Sequence, residues 1–378
     1  MSIHREIAFE NDICNHLAGN GWLYEEGDAK TYDTPRALFP ADVVAWAQAS
    51  QPEAWDALVK RHGAAAETML LDRLRKQLDA GGTLEVLRGG IEFTGLKKKL
   101  AMAQFKPAFG VNAELLARYA ANRLRVVRQV RYSQHNGNSI DLVLFLNGIA
   151  VATVELKTDF TQSVQDAVDQ YRFDRHPRPK GQSAGEPLLE FPRGAMVHFA
   201  VSNAEAWMTT TLQGPATTFL PFNQGDGDGA GNPPNPDGHP TAYLWERIWE
   251  RESWLEILGR YLVAEHDDKK QLKRVIFPRY HQLDAVRALT DHAQAHGSGH
   301  NYLIQHSAGS GKSNSIAWLA HRLSSLHDAK NEKIFHSVVV ITDRRVLDQQ
   351  LQDTIFQFEH KLGVVQKIDE NTQQLAKA

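Results

Sequence analysis

One segment constrains the fold of this chain more than any other: Tyr302-Leu303-Ile304-Gln305-His306-Ser307-Ala308-Gly309-Ser310-Gly311-Lys312-Ser313. It reads as a short apolar strand, a glycine loop and a helix start. Glycines let backbone N–H groups turn inward toward phosphate oxygens, and the following helix adds its positive N-terminal end. In such a loop Lys312 reaches the β- and γ-phosphates, and the Ser313 hydroxyl completes a Mg2+ shell. Gly309, Ser310 and Gly311 supply the cradle, while His306 stands where the usual pattern has its first glycine.

The pattern around this loop is helix, strand, loop, helix, strand, helix from Arg274 onward, which predicts a parallel α/β sheet. Upstream, Phe277-Pro278-Arg279-Tyr280-His281-Gln282 precedes a predicted helix over Leu283 to Ala295. A glutamine amide both donates and accepts, so Gln282 is a candidate reader of the adenine N6/N7 edge, with Arg279 beside it. Downstream, the apolar run Ser337 to Ile341 ends in Thr342-Asp343-Arg344-Arg345, placing Arg344 at the ligand-facing end of a parallel strand.

With 378 residues, two or three domains are expected. Hydrophobic residues at 42% and charged residues at 23% exclude a mainly disordered chain. A formal charge of -3 gives no overall pull toward nucleic acid, so any such binding must come from local patches. The single cysteine, Cys14, excludes an internal disulfide framework and a multi-thiolate zinc site. No apolar run approaches the ~20 residues of a spanning helix, so a cytoplasmic protein without membrane contact is expected. An opening helix over Ile3 to Leu17 and a helical stretch over Pro40 to Lys106 precede strands at Leu124 to Tyr132, Ile140 to Leu146 and Ile149 to Lys157. A run rich in Gly, Asp, Asn and Pro between Phe222 and Pro240 reads as a solvated linker. The expected division is therefore a first domain at 1–221, a linker at 222–240, and a helical connector plus nucleotide-binding domain at 241–378.

The middle strands carry a second constellation: Asp141, then Glu155-Leu156-Lys157. Asn147-Gly148 between two apolar runs is a hairpin signal. A two-residue loop pairs Asp141 with Val154 and puts Glu155 on the other face. A three-residue loop, Leu146-Asn147-Gly148, pairs Asp141 with Thr153, so that Asp141, Thr153, Glu155 and Lys157 share a face. The second packs large residues against small ones and is the favoured expectation. Two carboxylates on adjacent strands can hold Mg2+ through oxygen ligands, and such an ion activates water against a phosphodiester. A Glu-x-Lys on an exposed strand is ordinarily a solvated pair; here it follows an apolar strand instead. Behind it, a predicted helix from Gln165 to Phe173 offers Gln170, Arg172 and Arg175 as phosphate contacts. Arg118, Arg123, Arg125, Arg128 and Arg131 occur with no acidic residue between Ala117 and Ile140, a local basic stripe suited to nucleic acid. Glu10 is a candidate extra acid, though its expected place is the surface.

Taken in order, these motifs resemble the motor and cleavage (R) subunit of type I restriction enzymes. The residues that carry the resemblance are Phe9-Glu10 with Gly21-Trp22, Asp141…Glu155-x-Lys157, Gln170-Tyr171-Arg172 with Asp174-Arg175, Phe277-Pro278-Arg279-Tyr280-x-Gln282, the phosphate loop, and Thr342-Asp343-Arg344. Some such nucleases carry Gln-x-x-x-Tyr, but Ala167 stands four residues before Tyr171. The resemblance implies a restriction-endonuclease-like nuclease domain, a mixed sheet flanked by helices, followed by the start of a RecA-like motor. It further implies Mg2+ and ATP as cofactors, double-stranded DNA as substrate, and modification and specificity subunits as partners. R subunits are much longer, so the chain is expected to be an N-terminal piece. Its Asp369-Glu370, after the interrupted run Val364 to Ile368, is expected to be a solvated loop and not the motor's acidic motif. Two other readings of the same residues are a helicase-like ATPase with a non-cleaving DNA-binding domain and a small-molecule nucleotide-dependent enzyme.

Overall fold

The computed structural model describes residues 2–107, 112–158, 162–267, 269, 271–342 and 345–358. The chain forms two compact units, Met1–Leu262 and Val263–Ala378.

In the first unit, helices α1 (Ser2–Gly19), α2 (Pro40–Ser50), α3 (Pro52–His62), α4 (Ala66–Gly81), α5 (Thr83–Gly89) and α6 (Ala113–Ala120) precede the sheet. The strands are β1 (Leu124–Arg131), β2 (Ser139–Leu146), β3 (Ile149–Leu156), β4 (Val197–Val201), β5 (Ala206–Thr209) and β6 (Leu220–Pro221), side by side in that order. Among the described strands of this sheet only the β3–β4 pair is parallel, its crossover carrying α7 (Val164–Asp169) and a π-turn at Gln170–Asp174. The sheet is therefore mixed. β2 and β3 are buried along almost their whole length, which explains their mainly apolar sequences.

The β2–β3 hairpin differs from both expected registers. Asn147 and Gly148 have φ of 51° and 80°, and Leu146 faces Ile149, so the loop has two residues. Both central residues with positive φ make this the primed turn that strand twist favours. Gly148 is required there, because a side chain would strike the Phe39 carbonyl and Val43. The register then shifts: Phe145 faces Ala150 but Leu144 faces Ala152, leaving Val151 as a bulge. Beyond it Leu142 faces Val154, so Asp141 comes opposite Glu155. The shared face is reached through a bulge rather than a longer loop.

The loop after Phe222 is tied down, not free. Asn232 donates to the Ala204 carbonyl and to Asn223, and accepts from the Gln224 amide. The Trp-rich stretch that follows, with α8 (Arg251–Glu256) between two π-turns, lies within the first unit. Trp22 Nε1 donates 2.9 Å to the Trp249 carbonyl, and Phe9 meets the Trp245 ring edge-on. These contacts tie α1 and the turn after it to the Trp-rich stretch. The division between units thus falls after Leu262 instead of in the Gly/Pro/Asp-rich run. On α1 the buried stripe is Phe9, Ile13 and Leu17, while Ile7 is exposed.

The second unit opens with an antiparallel hairpin, β7 (Val263–His266) and β8 (Leu272–Ile276). Helices α9 (Tyr280–His296), α10 (Lys312–Ser324) and α11 (Arg345–Gln357) follow. The expected strands at 302–305 and 337–341 are unpaired among the described residues: Leu303 is 90% and Ile341 86% exposed. An apolar run becomes a buried strand only when neighbouring strands and covering helices complete its ladder, and among the described residues none does so here.

Candidate functional site

Three carboxylates converge beside β1: Glu10 of α1, Asp141 of β2 and Glu155 of β3. Asp141 Oδ2 accepts the Leu156 amide at 2.8 Å, which fixes its side chain toward β3. Glu155, fully buried, accepts Arg175 Nε at 2.7 Å on Oε1, while its Oε2 has no hydrogen-bond partner among the described residues. Glu10, 2% exposed, binds Arg128 at 2.7 Å and Gln129 at 2.8 Å. Its burial corrects the surface placement expected from sequence: α1 turns it inward one position after Phe9. Lys157 lies at the end of β3, its Nζ 3.1 Å from Glu6 Oε1 and 3.0 Å from the Leu156 carbonyl.

Burial holds the Glu155 carboxyl well above the usual carboxylate range; the Asp141 charge pushes the same way, and Arg175 opposes both. Glu10 is raised for the same two reasons, burial first and Asp141 second. With Asp141 and Glu155 both ionised, Oε2 of Glu155 has no donor among the described residues, so the pair is suited to sharing one proton or one cation. This chemistry fits a divalent ion taking oxygen ligands from two acids and the rest from water. Among the described residues no group of three or more His, Cys, Asp or Glu side chains is arranged to enclose a metal alone.

The arginines expected to contact DNA are mostly committed elsewhere. Arg175 is buried against Glu155 and holds that acid. The π-turn aims it inward, its amide bonded to the Gln170 carbonyl at 3.0 Å. Arg172 donates to the Thr217 carbonyl and pairs with Asp169. Gln170 keeps a buried Oε1 with no partner among the described residues. In the basic stripe, Arg123 and Arg125 pair with the fully buried Asp42, Arg125 also with Asp28, and Arg128 with Glu10. They are structural ion pairs. Arg344, along with Asp343, lies outside the described residues, as does Asp369-Glu370.

In the phosphate loop, Gly309 and Gly311 adopt φ of 76° and 80°, conformations that only glycine takes readily. Lys312 Nζ caps the carbonyls of His306 and Ser307 at 3.0 and 2.8 Å. Ser310 is buried with its hydroxyl unpartnered among the described residues, and Ser313 is exposed at the start of α10. Gln282 is also buried; its Nε2 donates to the Ser310 and Gly311 carbonyls, and its Oε1 accepts the Arg279 amide at 2.9 Å. In this arrangement the amide braces the loop rather than facing a base. His281, which sequence reasoning passed over, also lies 2.9 Å from the Ser310 carbonyl.

Comparison with known proteins follows the same order along the chain. Residues 48–217 match the family described as the type I restriction enzyme R protein N terminus, a span holding Asp141, Glu155, Lys157 and Arg175. Residues 281–378 match the SWI2/SNF2 ATPase family, a span holding Gln282 and the phosphate loop. A Methanocaldococcus jannaschii protein described as the type I restriction enzyme MjaVIIIP endonuclease subunit is 22% identical over 254 residues, 63% of this chain. The chain spans 22% of that relative's length. A match to the N terminus of type I restriction enzyme R proteins, followed by an ATPase match, thus stands in the order of the chain's two sites.

Proposed function

We propose that this chain carries the nuclease centre and the nucleotide-binding loop of a type I site-specific deoxyribonuclease. It would hydrolyse phosphodiesters of double-stranded DNA with Mg2+ and couple cleavage to ATP-driven translocation, in a cytoplasmic complex with modification and specificity subunits. The observation that carries the reading is the buried Asp141–Glu155 pair with an unfilled carboxylate oxygen, beside Lys157 at the end of β3. The mixed sheet and the two family matches support a restriction-endonuclease-like domain followed by a RecA-like motor.

Asp141 and Glu155 would hold the ion. When bound, Mg2+ would activate a water and offset charge on the phosphate. Arg175 keeps Glu155 in place, and the Leu156 amide does the same for Asp141. Lys157, freed from Glu6, supplies the positive charge that steadies the developing phosphate. At the other site Lys312 would exchange the His306 and Ser307 carbonyls for the β- and γ-phosphates of ATP, and Ser313 would complete the Mg2+ shell. Adenine reading by Gln282, with Arg279 alongside, requires the amide to release Ser310 and Gly311.

The test is Mg2+-dependent nicking of supercoiled plasmid by the complete enzyme carrying this chain. Loss of nicking in Asp141→Ala supports the assignment; undiminished nicking in that variant would place the cleavage centre elsewhere.

A further inference from the structure

Gln129 is a non-glycine residue held at φ 50° within β1, between the Arg128–Leu142 and Val130–Ile140 pairs. Left-handed backbone at such a residue persists only where the surroundings over-determine it, and it clusters at functional sites. Here the surroundings are two acids. Gln129 Nε2 donates to Glu10 Oε1 at 2.8 Å and to Asp141 Oδ1 at 3.1 Å, while its Oε1 accepts the Ser139 hydroxyl at 3.0 Å. Ser139 thereby fixes which end of the amide faces the carboxylates. A nitrogen shared between two acids is a neutral bridge: it holds together oxygens that would otherwise repel.

Resting on the carboxylate-site reading above, we infer that Gln129 is a positioning residue that bridges Glu10 and Asp141 and pre-organises them for a divalent cation, with Ser139 orienting its amide. Hydrogen-bond partners behind metal-binding groups typically carry about 10–100-fold in metal affinity. The amide does not touch the reacting phosphate in this role, so its signature is cation affinity and not cleavage alone.

The experiment titrates Mn2+ alone into the 378-residue chain, following free Mn2+ by electron paramagnetic resonance, with thermal unfolding recorded in parallel. Gln129→Gly is the informative variant, because glycine accepts φ 50° without strain and removes only the amide. It should unfold cooperatively yet bind Mn2+ roughly tenfold or more weakly. Ser139→Ala, which leaves the backbone and Gln129 untouched, should weaken binding in the same direction by a smaller factor, and it carries the test if Gln129→Gly does not fold. Asp141→Asn separates the two levels of the argument. If it abolishes Mn2+ binding while Gln129→Gly, or failing that Ser139→Ala, binds like wild type, the positioning role is overturned and the site stands. If the wild-type chain binds no Mn2+, or Asp141→Asn binds as wild type does, the carboxylate site and the role of Gln129 fall together.

Discussion

Arg175 and Glu155 form a buried ion pair, Nε to Oε1 at 2.7 Å, joining the π-turn after α7 to the β3 strand. Removing one partner of such a pair leaves an uncompensated buried charge, typically at a cost of about 3–5 kcal/mol. Arg175→Ala should therefore destabilise the first unit by that order in denaturant unfolding, and Arg175→Lys should recover part of the loss. DNA affinity of a folded Arg175→Lys protein should stay near wild type in a binding titration. A large affinity loss without a stability change would show that Arg175 faces DNA after all.

Separate units hold the two sites, which makes their losses separable. Asp141→Ala or Lys157→Ala should abolish cleavage by the complete enzyme and leave its ATP turnover intact. Parallel assays of plasmid cleavage and phosphate release decide it. Equal loss of both activities in a well-folded variant contradicts two independent sites.

Lys312→Ala should lower ATP hydrolysis and translocation steeply, and distant cleavage with them, because its charge on the phosphates is lost. Among the described residues Lys312 bonds backbone carbonyls of its own loop, so the variant should fold with little change in stability. Full ATPase activity in this variant would mean the loop binds no nucleotide.

His198 predicts an acid sensitivity. It is buried, 2.7 Å from Thr153 Oγ1, and burial drives its imidazole down to about 3 from an ordinary value near 6.5. The unfolded chain takes up this proton below about pH 6.5 and the folded chain does not, so the stability is present above 6.5 and is lost as pH falls toward 3. The slope for this one group is at most about 1.4 kcal/mol per pH unit. His198→Gln, which keeps hydrogen-bonding capacity without titrating there, should flatten the unfolding profile between pH 6 and about 4. An unchanged profile would assign the acid sensitivity to other groups.

Much of the carboxylate site was legible because it is local. Asp141, Glu155 and Lys157 lie on adjacent strands around an Asn-Gly turn, and alternation within a strand is a two-residue rule. The bulge at Val151 was not legible, since nothing in Ala150-Val151-Ala152 distinguishes a bulged residue from a paired one. Glu10 was misplaced for another reason: its partner Arg128 is 118 residues away, and burial of a carboxylate depends on that distant charge. Separations of 81 and 83 residues likewise hid Asp42 from Arg123 and Arg125, so a string of arginines read as a nucleic-acid surface. The phosphate loop was readable from its glycines, but the bracing of Gln282 against it was not, because sequence order alone does not say which groups a glutamine amide meets.

The bulge also separates two requirements that a plain hairpin would tie together. Turn-side residues Ile149 and Ala150 pair in one frame, and the residues from Ala152 to Glu155 pair in another, one position out of step. Val151 is the spacer between the frames. Deleting it would let Leu144–Ala152 follow directly on Phe145–Ala150 and would leave Asp141 across from Glu155. A deletion between Ala152 and Glu155 would instead put the two acids on opposite faces. Length variation in this hairpin is therefore tolerable on the turn side of Ala152 and ruinous beyond it.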